Sequence, residues 1–221
     1  PELDTAVENG QVEFILTQPS QYVALTYRKP LSSPLATLVE RDGLHALDHF
    51  GGVIFTRSDR DNIKQLKDLR GKSIATSSTS SLGSFQMQAF ELARAGMDLS
   101  KDATLRVTGQ PQDLAVTEVL TGHADVGFVR TGIIEAMVRE GRLSAERLKI
   151  INARQEDGFP FKLSTSLFPE WPFAAMPGVA ENVARHVAAA LFSLPHNSEV
   201  TRKLRIEGFT IPGNYQPVDD L

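Results

Sequence analysis

Five consecutive hydroxyl side chains, Ser77, Ser78, Thr79, Ser80 and Ser81, stand between a short buried-strand run, Ser73 to Thr76, and an apolar-periodic stretch in which Phe85, Ala89 and Leu92 share one helical face. A strand that bends into a helix start in this way directs unpaired N–H groups and hydroxyl donors towards one point, which suits a small anion. Gly83 lets the backbone come close to whatever sits there. An ordinary loop and N-cap has the same composition. No Gly-Lys-Ser/Thr follows the bend, so a phosphate loop of the nucleotide-hydrolase kind is excluded. Two further loops follow buried strands, Gly109-Gln110-Pro111 and Arg130-Thr131-Gly132. Ligands of open α/β sheets bind at the carboxyl ends of the strands, so three such loops together mean more than one. The planar guanidinium of Arg130 can hold two oxygens of a tetrahedral or carboxylate anion; pairing with Glu135 or Asp125 is its structural alternative. Thr131 reads as the N-cap of the next helix, and Gln110 as a hydrogen-bond donor from its loop. Near the start of the chain, Thr17 and Gln18 could donate hydrogen bonds, and Tyr22 a hydroxyl and a ring wall. Arg57 also ends a strand, where a hinge or supporting role is as consistent as direct contact.

Enzyme chemistry finds little support. His45, His49, His123, His186 and His196 are scattered, and only His45 and His49 have helical spacing, with Ala46 where a zinc protease would carry glutamate. No metal is therefore expected. Ser80 and Ser81 lack a Gly-x-Ser-x-Gly elbow, Glu156-Asp157 reads as a solvated pair, and no Gly-x-Gly-x-x-Gly follows a strand. Cysteine is absent, which removes thiol catalysis, thiolate metal sites and disulfides together. The domain is expected to be non-catalytic and to need no cofactor.

The elements that must position these residues follow from apolar periodicity. Val12–Leu16 reads as a strand and Ser20–Tyr27 as a helix with Pro19 at its first position; Leu35–Glu40 is a second strand, and Arg41–Phe50 a polar connection. Pro1–Gly10 is a short polar lead ending in a turn. Strands at Gly51–Thr56, Ser73–Thr76, Thr104–Thr108, Asp125–Val129 and Leu148–Ile151 enclose helices at Asn62–Leu69, after Ser81, at Gln112–Leu120 and up to Arg139. That alternation describes an α/β unit with a largely parallel sheet covered on both faces. Phe159–Pro177 is an extended, proline-rich crossing segment, Val179–Leu194 a long helix, and Ser198–Arg205 a last helix, followed by Gly208-Phe209 and an irregular tail. Two lobes result: residues 1–57 with 160–221, and residues 58–159, with a cleft expected between them.

The chain has 221 residues, 41% of them hydrophobic, enough for one large domain or two small lobes. A formal net charge of −4 and the lack of any basic run argue against nucleic acid. No apolar run is long enough to span a bilayer and no secretory leader is seen, while the abrupt start at Pro1-Glu2-Leu3 reads as that of a fragment.

The segments GGVIFTRSD, IKQLKDLRGKSIA, the hydroxyl loop, VLTGHADVGFVRTGIIEAM and FPEWPFAAMPGV resemble the phosphonate-type periplasmic solute-binding proteins. The similarity is closer to the branch fused to sensor histidine kinases of the tetrathionate-sensor kind, and it runs from about Leu3 to Val218. It implies a bilobal type II clamshell of mostly parallel sheets flanked by helices, closing on a small anion such as a phosphonate or a sulfur oxyanion. Within it, Ser77 to Ser81 would line the ligand and Tyr22 would be the first-lobe aromatic. Gln110 stands where phosphonate binders tend to place histidine, and Arg130-Thr131 looks like the sensor branch, so phosphonate itself is put in doubt. Family members open with strand, helix and strand elements before the segment that begins here, so the first lobe is expected to lack them. The implied role is a periplasmic sensor domain, tethered to the inner membrane by segments outside this chain and coupled to a kinase region of the same polypeptide. The alternatives are the binding subunit of an ABC transporter, partnered by a permease, and the effector domain of a transcription regulator. A dimer is compatible with each.

Overall fold

The computed structural model describes residues 2–221. The chain divides into two compact units, one formed by the residues up to His49 together with Phe168–Asp220, the other by Phe50–Leu167. The first begins with α1 (Glu2–Glu8), β1 (Phe14–Leu16), α2 (Pro19–Thr26), β2 (Ala36–Asp42) and β3 (His45–Leu47), and a two-residue strand β4 (His49–Phe50) follows. The second runs through β5 (Gly52–Arg57), β6 (Lys72–Thr76), a π-helical turn (Leu82–Gln86) continuing into α3 (Met87–Arg94), then α4 (Leu99–Asp102), β7 (Ala103–Val107), α5 (Asp113–Leu120), β8 (Val126–Arg130), α6 (Ile133–Arg139) and β9 (Leu148–Ile151). The chain returns through β10 (Phe168–Pro169), which pairs with β4, then β11 (Pro172–Ala175), α7 (Glu181–Phe192), α8 (Glu199–Leu204), β12 (Ile206–Thr210) and α9 (Gln216–Asp219).

In the second unit the strands lie in the order β7-β6-β8-β5-β9. Successive residues of a strand point to opposite faces, and here both faces are apolar. Val53, Phe55, Ala75 and Val129 pack with Val116 and Val119 of α5 and with Ile134 and Met137 of α6. Ile54, Ile74, Val126 and Phe128 pack on the other side with Leu92 of α3 and with Ile63 and Leu69. Gly127 belongs to this arrangement, because a Cβ there would lie 2.1 Å from the Phe55 ring, which fills the space. β6 is parallel to both β7 and β8, while β5 is antiparallel to β8 and β9. The three adjacent parallel strands therefore end at one edge of the sheet. Register decides what lies at each edge. Gly52 is opposite Arg130 and Arg57 opposite Leu148, so the amino end of β5 stands beside the carboxyl end of β8 and Arg57 at the other edge.

The first unit corrects the expectation of a mostly parallel sheet in each lobe. Its order is β1-β11-β2-β12 with β3 on β2, and each of these pairs is antiparallel. Parallel neighbours need a crossover connection, whereas β2 and β3 are joined by a tight turn and β11 and β12 return from far along the chain. Its core gathers Val7, Ile15, Tyr22, Leu25, Ala174 and Met176.

Several local expectations are also revised. The lead Glu2–Glu8 is helical and buries Val7; Arg41–Phe50 contains the β2–β3 hairpin; and Gly208-Phe209, which periodicity assigns to no element, lie in β12. Of Asn62–Leu69, only the 3-10 turn Leu66–Leu69 is helical, since the Asp68 carboxylate accepts the Lys64 and Gln65 N–H groups and caps the segment there. The unit boundaries fall at 49/50 and 167/168 instead of 57/58 and 159/160. Gly52–Arg57 is an inner strand of the second sheet, and Ser164 and Thr165 are tied to it by hydrogen bonds, so both crossings lie outside those residues.

Candidate functional site

The five hydroxyls of the loop after β6 are not equivalent. Ser77 is buried, and its Oγ shares a hydrogen bond of 2.8 Å with Ser84 Oγ. The hydroxyl of Thr76 donates to the Ser84 carbonyl at 2.6 Å, and the Ser84 N–H donates to Ser81 Oγ at 3.3 Å, which makes Ser81 the N-cap of the π-turn. The Gln86 N–H reaches back to the Ser81 carbonyl at 3.1 Å. Ser84, fully buried, is thus the centre on which the loop is built. Its signal in the sequence was its position three residues after a capping serine. Ser78 and Ser80 form the tip, with 2.9 Å between their hydroxyl oxygens and the Ser80 N–H donating to Ser78 Oγ at 3.2 Å. Thr79 and Ser80 are exposed; Ser78 and Ser81 are half-buried.

Backbone hydrogen bonds join this loop to the next. Thr108 N–H donates to the Thr76 carbonyl at 2.8 Å and Gly109 N–H to the Ser77 carbonyl at 3.2 Å, which brings exposed Gln110 to the same edge. Arg130 closes the row at the end of β8. Its N–H donates to Gln112 Oε1 at 2.8 Å, so the helix after the second loop is fastened to the third. The Arg130 guanidinium lies over the Phe50 ring, 4.4 Å from its centroid. A stacked cation of this kind gains about 0.5–2 kcal/mol, depending on its exposure. Gly83 serves this packing, since a Cβ there would lie 3.0 Å from the Phe50 ring and 3.1 Å from Arg130. The close approach expected at Gly83 is therefore made by these two side chains.

Thr131 departs from its expected part. It extends the pairing of β8 with β5, donating its N–H to the Gly51 carbonyl at 3.0 Å and accepting the Gly51 N–H on Oγ1 at 3.1 Å. The N-cap of α6 is Gly132, at φ 91°, a left-handed conformation that glycine adopts without strain. Arg57, at the opposite edge, donates from Nε to Asp59 at 3.0 Å. Beside it Asp125 accepts the Ser73 N–H and hydroxyl, at 2.9 and 2.8 Å, and pairs with Arg60. Burial works against the charged form of Asp125, yet the Ser73 and Arg60 hydrogen bonds outweigh it and hold the carboxyl below its ordinary range. Within the second unit, then, Ser77–Ser81, Gln110, Arg130 and Thr131 come together at one edge, and Arg57 does not join them.

The remaining candidates lie in the first unit. Thr17 is buried and donates to Gln21 Oε1 at 2.5 Å. Gln18 is half-buried at the N-cap position of α2, where its carbonyl accepts from Gln21 and Tyr22 and its side chain makes no cap. Tyr22 is 6% exposed, donates its hydroxyl to the Ser32 carbonyl at 2.9 Å and packs 6.0 Å from the Tyr215 ring; burial raises its pKa. His45 and His49 lie on β3 and β4, so their spacing does not set them on one helical face. Among the described residues no group of three or more histidine or acidic side chains is placed to hold a metal, and no helix is long and apolar enough to cross a membrane.

Comparison with known proteins agrees with this architecture. The family model described as "ABC transporter, phosphonate, periplasmic substrate-binding protein" matches residues 1–214. The tetrathionate sensor histidine kinase TtrS of Salmonella typhimurium is 31% identical over 194 residues, which is 88% of this chain and 32% of that protein. The chain thus spans about a third of that relative's length. Among solved structures, XAC2383 from Xanthomonas citri, bound to ATP, aligns with a TM-score of 0.73 at 18% identity, over 99% of this chain and 83% of that one. PhnD1 from Prochlorococcus marinus, in complex with methylphosphonate, aligns with a TM-score of 0.65 at 12% identity, over 98% and 79%. The fold is that of the type II periplasmic binding proteins, two α/β lobes each made of a sheet flanked by helices. The chain belongs to the phosphonate-type periplasmic substrate-binding protein family.

Proposed function

We propose that this periplasmic-type domain captures a small oxyanion at the carboxyl edge of β6, β7 and β8, in the manner of the substrate-binding subunits of ABC transporters. The observation that carries the reading is the row of three joined loops. Ser78–Ser80, Gln110 and Arg130 belong to its three loops at one edge of the sheet, and hydroxyl, amide and guanidinium groups of this kind suit an oxyanion. Donors fixed before the ligand arrives need little reorganisation, and charge-assisted hydrogen bonds to an oxyanion are the strong ones. Membership in the phosphonate family supports an anion, and Gln110 at the second loop supports one other than a simple phosphonate.

A second reading has its own support. The 31% identity to a tetrathionate sensor kinase favours a sensor domain, tethered to the inner membrane by further segments and passing ligand occupancy to a kinase. Both readings share the binding chemistry and need no catalysis, since signalling requires only different affinities for two states. Kinase activity of the whole protein that responds to the bound anion would decide for the sensor, and anion uptake dependent on a permease for the transporter.

A thermal-shift screen against phosphonates, phosphate, sulfate, thiosulfate, tetrathionate and small carboxylates tests the shared claim. A selective rise of about 5 °C or more at saturating anion is expected. A well-folded protein that no member of the panel stabilises would overturn it.

A further inference from the structure

Gln88 lies at the start of α3 and is fully buried, and no motif singles it out. Its Nε2 donates to the Gly83 carbonyl, within the π-turn, at 2.8 Å and to the carbonyl of Val129, the residue before Arg130, at 3.0 Å. The pairing of β6 with β8 extends only to Gly127, because β6 then bends away into the serine loop. The Gln88 side chain bonds to β8 beyond that point. Gly52 makes room for it, since a Cβ there would lie 2.4 Å from Nε2. The Gln88 Oε1, however, is buried without a hydrogen-bond partner.

The unpaired Oε1 costs stability and offsets part of what the two Nε2 hydrogen bonds contribute; methionine, of nearly the same length, would fill the space and remove both the cost and the bonds. The net effect of the amide on stability is therefore small. What the amide does achieve is a double tie between the turn that follows Ser81 and the strand that ends in Arg130.

We propose that Gln88 is a positioning residue for the anion site, fixing the separation between the donor groups of the Ser78–Ser81 loop and the Arg130 guanidinium without touching the ligand. The proposal rests on the reading of this edge as an anion site. It explains why the first helical turn is wide. The π-turn carries the Gly83 carbonyl to the amide, and Gly83 in turn receives the Arg130 and Phe50 side chains.

The test is Gln88→Met, with Gly52→Ala as a second variant that displaces the same amide from its other side. Melting temperature, amide hydrogen exchange and calorimetric titration with methylphosphonate, inorganic phosphate and thiosulfate are compared with wild type. For Gln88→Met the melting temperature should change little, the two lost bonds being set against the relieved Oε1, and exchange over residues 77–86 and 128–132 should be faster. Affinity for whichever of these anions binds wild type should fall about tenfold, the lower end of what groups behind the direct ligands contribute in ion sites. Unchanged exchange, or unchanged affinity despite faster exchange, would overturn the proposal, as would a lower melting temperature with affinity intact. Should none of the three anions bind wild type, the anion reading fails for them, and exchange alone still decides whether Gln88 ties the loop to β8.

Discussion

Two of the strand-to-helix junctions rich in hydroxyl and amide side chains, one in each unit, put those groups to different uses. Between β1 and α2 the loop is only Thr17 and Gln18, and Pro19, at the first helical position, offers no N–H. Thr17 bonds within its own helix turn and Tyr22 to the Ser32 carbonyl. Between β6 and α3 the loop is five residues long, and an inner layer of Thr76, Ser77, Ser81 and Ser84 supports an outer tip of Ser78, Thr79 and Ser80. Residue type is shared; the number of residues that remain after the local backbone has been satisfied is not. A loop can bind when it contains more donors than it needs to hold its own shape.

Four experiments would break or sharpen this contrast. Arg130→Ala should weaken anion binding by about 1.5–3 kcal/mol through lost charge-assisted hydrogen bonds. Calorimetry checks this, and an unchanged affinity would separate Arg130 from the ligand. Thr76→Val removes the bond that holds the Ser84 carbonyl and should cost about 1–2 kcal/mol of stability in urea denaturation, with a weaker anion affinity in its train. Tyr22→Phe should cost about 0.5–1.5 kcal/mol of stability, because its hydroxyl serves the Ser32 carbonyl, and leave anion affinity alone. A large loss of affinity in this variant would return Tyr22 to the ligand. The smallest effect concerns the opposite edge of the second sheet. The Asp125 pKa is lowered by folding, so its contribution is complete above the ordinary carboxylate value near about pH 4 and is lost as pH falls through the depressed pKa. Wild type and Asp125→Asn should therefore differ in melting temperature at neutral pH and converge in acid; a gap constant down to about pH 2 would contradict the assignment.

The parallel strands and their three loops were legible in the sequence because β8 and the second half of β6 are buried apolar runs, while Gly, Pro and Ser mark the strand ends, that of the largely exposed edge strand β7 included. The first unit was harder to read. β12 was hidden because Gly208 interrupts it and the register shifts between Ile206 and Gly208, and α1 because a polar surface conceals the one buried residue, Val7. Arg130 was visible as a cation after a strand. Its Phe50 partner was not, because that contact joins residues 80 positions apart by number, 50 and 130, through space that only the Gly83 backbone defines. The buried roles of Ser84 and Gln88 are hidden in the sequence for a related reason. Both look like polar residues on an exposed helical face until the sheet is assembled above them.

Backbone amide chemical shifts recorded while titrating the anion selected by thermal shift would test the central claim most directly. The account predicts that the largest changes fall on Ser78–Gly83, on Gly109-Gln110 and on Arg130–Gly132, with Thr17 and Arg57 undisturbed. Changes centred on Arg57 and Arg60, or scattered over the surface with no saturation, would contradict it.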